Sequence, residues 1–169
     1  DAGGEGRPRI DYHIADRTLV EEAPLLEAFE ALLELPDSRL PLSSVLGLLE
    51  VPAVLRRFRL DRDDFEAIRR WLVDAGVHWG EDGDHRRREL GTAYREASWD
   101  FGIDRLLAGY AMRSGDDFSV LGVQPMDEIE GGRAAALDGF LRFWRQLERY
   151  RNLLEQSRSP VRWAALLDD

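Results

Sequence analysis

A mainly α-helical fold, with at most one or two short strands, is what this sequence predicts. Three observations carry the prediction. Apolar residues recur at helical spacing through most of the chain, prolines, glycines and capping residues divide the pattern into short helices between Leu33 and Gly80, and only two stretches suit a strand. With 169 residues, 44% of them hydrophobic and 33% charged, the chain has the size and make-up of one ordinary globular domain. No apolar run approaches the roughly 20 residues that a membrane span requires. The absence of cysteine excludes disulfides and thiolate metal sites.

Residues 1–8, DAGGEGRP, are Gly-rich and acidic and are expected to be a disordered loop or chain end. They form neither a basic leader nor an apolar signal core, so the cytoplasm is the simplest compartment. Residues 9–169 are expected to form a single helical domain. Arg9 to Ala15 alternates weakly and reads as a strand, whose sheet partners are expected in sequence beyond this chain. Pro24 suits the first turn of a helix to Leu35, with Leu25, Phe29, Leu32 and Leu33 on its inner face and Glu27, Glu30 and Glu34 on another. Pro36 stops it.

Ser43 to Leu49 and Pro52 to Phe58 read as two short apolar helices joined at proline and buried together. Asp61 and Asp64 have the spacing of a reciprocal helix cap, Phe65, Ile68, Leu72 and Ala75 repeat behind them, and Gly76 ends the run. Asp82 to Leu90 reads as a polar helix carrying HRRR. Ser98 caps a helix from Trp99 to Met112 with Ile103, Leu106, Leu107 and Tyr110 inward, and with Gly102 and Gly109 placed for close approach of another helix. Asp116 to Gln124 is a turn with a short strand. Arg133 to Gln156 is the longest helix, its core face made of Leu137, Phe140, Leu141, Trp144, Leu147 and Leu154 and widened by Phe143 and Tyr150. Pro160 opens a last helix, which meets the chain end without a cap, so the sequence reads as a piece of something larger.

The chemistry is sparse. Neither a GxxxxGK[ST] nor a GxGxxG loop is present to hold nucleotide phosphates, and no nucleophile elbow occurs, so no catalytic residue and no cofactor is assigned. His78, Asp82, Asp84 and His85 lie close together and raise a rival reading, a small metal-dependent nuclease. Their spacing matches no recognised ligand pattern, and a solvated charged loop and helix explains them as well; no metal ligand is assigned.

The net charge of −10 argues against attraction of the whole surface to DNA, so the chain alone is expected to bind DNA weakly or not at all. Local patches remain. Arg56, Arg57, Arg59 and Arg62 surround Phe58, and Arg142, Arg145 and Arg149 follow one side of the longest helix; either set can touch a phosphate backbone. The plain alternative is a solvated face, with Asp138 pairing Arg142 and Glu148 pairing Arg145. All 23 basic residues are arginine, which codon bias explains because they are spread along the whole chain. Trp71, Trp99, Trp144 and Trp163 suit core positions, and Trp79 is the tryptophan most open to stacking on a base. Glu27, Glu30 and Glu34 are candidates for docking on a basic partner, the basis of a third reading as a protein-interaction module.

A resemblance adds to this. The text PDSRLPLSSVLGLLEVPAVLRRF followed by LDRDDFEAIRRWLVDAGVHWG is similar to the RecC family, the gamma subunits of bacterial exodeoxyribonuclease V. IADR at Ile14, WDFGIDRLLAGYAM at Trp99 and LGVQPMDEIEG at Leu121 follow in the family's order. The resemblance implies an internal fragment, the helical insertion domain of an inactive superfamily-one helicase-like fold. It also implies a parent complex that is an ATP-dependent exodeoxyribonuclease and helicase, acting in double-strand break repair by homologous recombination. In that complex the fragment would be non-catalytic and would lie beside RecB-like and RecD-like motor subunits and DNA. Two departures stand out: Arg59 precedes Leu60 where the family usually has glycine, and Glu81 stands where leucine is common.

Overall fold

The computed structural model describes residues 16–111 and 133–167. Both predicted strands, at 9–15 and 116–124, lie outside the described residues, as do residues 1–8. Within them are eight α-helices and one 3-10 turn, so the helical fold class holds.

Helix α1 spans Asp16–Leu33 and contains Pro24. It therefore begins eight residues before the proline that was expected to open it. A proline inside a helix lacks an amide donor and costs about 3 kcal/mol. Packing of the following turns against the core, through Ala28 and the partly buried Ala31 and Leu32, supplies the compensation. The inner face also differs from expectation: Leu25, Phe29 and Leu33 are exposed, as is Leu26. The reason is rotational, because the short side chains of Ala28 and Ala31 let α1 approach its neighbours on that side.

The 3-10 turn Leu35–Asp37 leads to α2 (Leu42–Glu50) and α3 (Pro52–Arg57), and α4 spans Arg62–Asp74. The predicted cap of α4 is present in full: the Asp64 amide donates to Asp61 Oδ1 at 2.8 Å, and the Asp61 amide donates to Asp64 Oδ2 at 3.2 Å. Gly76, at φ +78°, ends α4 in a Schellman turn, with the Val77 amide donating to Leu72 O at 3.0 Å and the Gly76 amide to Val73 O at 2.9 Å.

Helices α5 (Gly83–Leu90), α6 (Trp99–Ala111), α7 (Ala134–Leu154) and α8 (Pro160–Leu167) complete the description. The buried stripe of α6 is Trp99, Gly102, Leu106 and Gly109, while Leu107 and Tyr110 face outward. Gly102 decides this rotation: a Cβ there would lie 2.1 Å from Val77 Cγ2, so only glycine lets the segment after α4 close on α6. Helix α7 is the centre of the domain, packing against α1, α4 and the 3-10 turn. Its Phe140, Phe143, Trp144 and Leu147 are buried as expected, and Tyr150 is half exposed. Trp144 stacks on Trp99 at 4.6 Å, and the Trp99 indole donates to Leu40 O at 2.8 Å. That one ring joins α6, α7 and the loop before α2.

Candidate nucleic-acid interface

Arg57, from the first arginine set singled out in the sequence, meets Arg142, Arg145 and Arg149 of the second on one groove, while Arg56, Arg59 and Arg62 do not line it. Its volume is about 530 Å³, and α1, α2, α3 and α7 line it with Leu32, Leu48, Val54, Phe143 and Leu147 below and Arg57, Arg142, Arg145 and Arg149 at its edge. Helical spacing places the three α7 arginines on one side, at i, i+3 and i+7. Arg56 and Arg57 occupy the last turn of α3. Gly139 allows the two elements to touch, since a Cβ there would lie 2.6 Å from Leu60 Cδ2 and 2.9 Å from Phe58 O. Phe58 then meets Phe143 edge to face at 5.5 Å.

The arginines are not equivalent. Arg142 pairs with Asp138 at 3.1 Å and donates to Phe58 O at 3.4 Å, so it ties α7 to the end of α3. The expected pair of Arg145 with Glu148 does not form within 4.0 Å. Glu148 is instead hydrogen-bonded to the Trp144 side chain, and burial, with Glu81 nearby, raises its pKa. Among the described residues Arg56, Arg57, Arg59, Arg145 and Arg149 are exposed and make no ion pair. Arg62 differs, pairing with Glu50 at 2.7 Å.

The His78, Asp82, Asp84 and His85 cluster is occupied with holding the chain. Asp82 Oδ1 accepts the His85 amide at 2.7 Å as the cap of α5, and Asp84 pairs with Arg87 at 3.0 Å. His85 is buried, and its Nδ1 accepts the Glu81 amide at 3.1 Å, which puts the ring proton on Nε2 and leaves no free lone pair for a metal. Burial, reinforced by Arg151, holds its pKa below the usual imidazole value. His78 is exposed. Among the described residues no group of three or more histidine, aspartate or glutamate side chains converges on a point that could hold a metal ion.

Sequence reasoning missed the arginine beside this histidine. Arg86 is buried and donates to four main-chain carbonyls: Trp79 O at 2.7 Å, Ala97 O at 2.9 Å, Tyr94 O at 3.4 Å, and Glu96 O. Its guanidinium lies 4.5 Å from the Trp79 ring, which Arg39 approaches at 5.8 Å. Trp79, the tryptophan most open to base stacking in the sequence, is thus engaged by two cations of its own chain. No local pattern distinguishes Arg86 from Arg87 and Arg88 of the same HRRR run, because its acceptors come from residues 79 and 94 to 97. Of the other tryptophans, Trp71, Trp99 and Trp144 are core residues as expected. Glu27 and Glu30 on α1 and Glu34 just after it are exposed, and among the described residues none is ion-paired.

Comparison with known proteins decides the family. The family model described as the fourth domain of RecBCD enzyme subunit RecC matches residues 22–169. The chain belongs to the RecC family. It is 37% identical to the RecBCD enzyme subunit RecC of Escherichia coli K12 over 162 residues, covering 95% of this chain and 14% of that protein. Over 156 residues it is 37% identical to the RecC subunit of Mycolicibacterium smegmatis, covering 92% of this chain, and over 165 residues 28% identical to that of Mycobacterium tuberculosis H37Rv, covering 96%. The chain thus spans about 14% of the length of the first two relatives.

Both departures from the RecC pattern have a place in the fold. Arg59 sits at φ +59°, the left-handed region that favours glycine. The Leu60 amide donates to Leu55 O at 2.9 Å and the Arg59 amide to Arg56 O at 3.2 Å, a second Schellman turn with arginine at the glycine position. Glu81 forms an ion pair with the buried Arg151 of α7, so a charged pair spans the joint between α5 and α7.

Proposed function

We propose that this segment is a non-catalytic, structural and DNA-handling part of a RecBCD-type helicase-nuclease that processes double-strand breaks for homologous recombination. It works beside RecB-like and RecD-like motor subunits and supplies no reacting group of its own. The observation that carries the reading is the convergence of arginines more than 80 residues apart on one groove of an otherwise acidic domain. Arg57, Arg145 and Arg149, with Arg56 and Arg59 beside them, are placed to meet phosphates as the strand passes, while Arg142 holds the groove in shape. Phosphate contacts of this kind position nucleic acid without reading its bases.

The rest of the surface repels DNA, so the groove works only where the parent complex brings the strand to it. The 169-residue chain titrated with labelled single-stranded DNA is expected to show weak anisotropy changes at low salt and none at physiological salt. Tight, salt-resistant binding, or magnesium-dependent DNA cleavage abolished by His85→Ala, would contradict it.

A further inference from the structure

Phosphate contact accounts for the rim of the arginine groove and leaves its interior unexplained. The hollow of about 530 Å³ has the size of a small-molecule site, and Leu32, Leu48, Val54, Phe143 and Leu147 make its floor apolar. A charged, hydrated sugar-phosphate backbone gains nothing from such a floor. Two further side chains of α7 line the hollow. Tyr150 is 40% exposed and follows Phe143 and Leu147 at i+7 and i+3, so it extends the same face outward. Gln146 is half-buried between that face and the arginine row, and its amide has no hydrogen-bond partner among the described residues. The chain has 33 acidic residues, yet no aspartate or glutamate is among the described residues that line the hollow.

We infer, on the DNA reading above, that the hollow is a pocket for one unpaired base of the strand whose phosphates Arg57, Arg145 and Arg149 meet. A nucleotide divides as the groove does. Its anionic phosphate belongs at the cationic rim, and its flat ring, with donors and acceptors at the edge, belongs inside. Tyr150 presents an aromatic face on which a base stacks, and the apolar floor receives the ring. The Gln146 amide carries both donors and an acceptor, so by turning over it meets the edge of any base, and the pocket holds the strand without reading its sequence. Bases within a duplex are stacked and paired and cannot enter. The groove therefore prefers a separated strand to a duplex that offers only its phosphates. An acidic protein segment suits the arginine rim equally well. What favours the base is the exposed aromatic face with an unpartnered amide beside it, the two groups that together recognise a ring with a polar edge.

Photocrosslinking in the assembled parent complex tests this. Duplex ends with single-stranded tails, each tail carrying 5-iodouracil at one position, are bound and irradiated, and the attached peptide is sequenced. Attachment to Tyr150 is expected from one tail position or two adjacent ones. No attachment to Tyr150 from any position, the result if a protein segment fills the hollow, would overturn the proposal. In a second arm, Tyr150→Ala is expected to weaken binding of the tailed DNA roughly fivefold, the loss of one stacked base, with the slope of log affinity against log salt unchanged. Tyr150→Phe is expected to keep the parent affinity, because the ring and not the hydroxyl does the stacking. Unchanged affinity in Tyr150→Ala would overturn the proposal as well. The two readings fail differently. If replacing Arg57, Arg145 and Arg149 by alanine flattens the salt slope while Tyr150 takes no crosslink, the pocket alone is refuted; if the slope does not change, the DNA reading falls and the pocket with it.

Discussion

The joint around Arg86 and the groove between α3 and α7 are built with the same residue and use it in opposite ways. At the joint the guanidinium is turned inward and shared among four carbonyls of the loops before α5 and α6, so its charge is spent on holding the chain. At the groove Arg57, Arg145 and Arg149 point outward from helices already held by Gly139, Phe58 and Phe143, and their charge is left for something else. An arginine that can be removed without loss of fold is a candidate for contact with a partner. One that cannot is part of the scaffold.

The largest expected effect falls at the joint. Arg86→Ala leaves several carbonyls without donors in a buried place, and because an unmet buried acceptor costs about 1 to 3 kcal/mol, a loss of at least that size is expected in denaturant unfolding. Arg145→Ala and Arg149→Ala are expected to stay within about 0.5 kcal/mol of the parent, as exposed substitutions usually do. Equal losses at the two sites would break the comparison.

A smaller effect tests the buried polar cluster next to Arg86. His85 is held neutral by burial and by Arg151, so its folded pKa lies below the unfolded one. As the pH falls below about 6.5, the unfolded chain takes up a proton that the folded chain resists, and stability is lost. Glu148 acts with the opposite sign, because its raised pKa contributes stability that is present at low pH and lost as the pH rises through that value. Urea midpoints at pH 7.5 and 5.5 for the parent and for His85→Gln isolate the imidazole: the difference between the two proteins is expected to narrow at the lower pH.

The smallest effect concerns two turns of one design. Gly76 and Arg59 both close Schellman turns at positive φ, but only glycine adopts that conformation without a Cβ penalty. Arg59→Gly is therefore expected to raise stability by up to about 1 kcal/mol, read as a shift in thermal midpoint, whereas Gly76→Ala lowers it.

Much of this fold was legible because local chemistry and tertiary packing agree in it. Asp61 with Asp64, Pro52, Ser98 and Gly76 mark helix ends by hydrogen bonding or by fixed torsions, and these act over a few residues. The helical family fold followed from the same joints. The rotation of α1 and α6 was not legible, since both helices have more apolar residues than one face can hold and small side chains settle which arc turns inward. Ala28 and Gly102 did so here, through their lack of bulk. The site was half legible: each arginine set was visible as a cluster, but their meeting depends on a contact between residues 58 and 139 that no local pattern reports. The inward turn of Arg86 likewise needs acceptors supplied by residues 94 to 97, folded back by the Ser98 cap.

Central to the proposed function is contact of the outward arginines with phosphate in the parent complex. DNA affinity of the full complex, measured across a range of salt for the parent and for the Arg57→Ala, Arg145→Ala, Arg149→Ala triple variant, tests this most directly. Loss of three phosphate contacts is expected to weaken binding and to flatten the slope of log affinity against log salt by about 2 to 3. An unchanged affinity and an unchanged slope, in a variant that assembles normally, would contradict it.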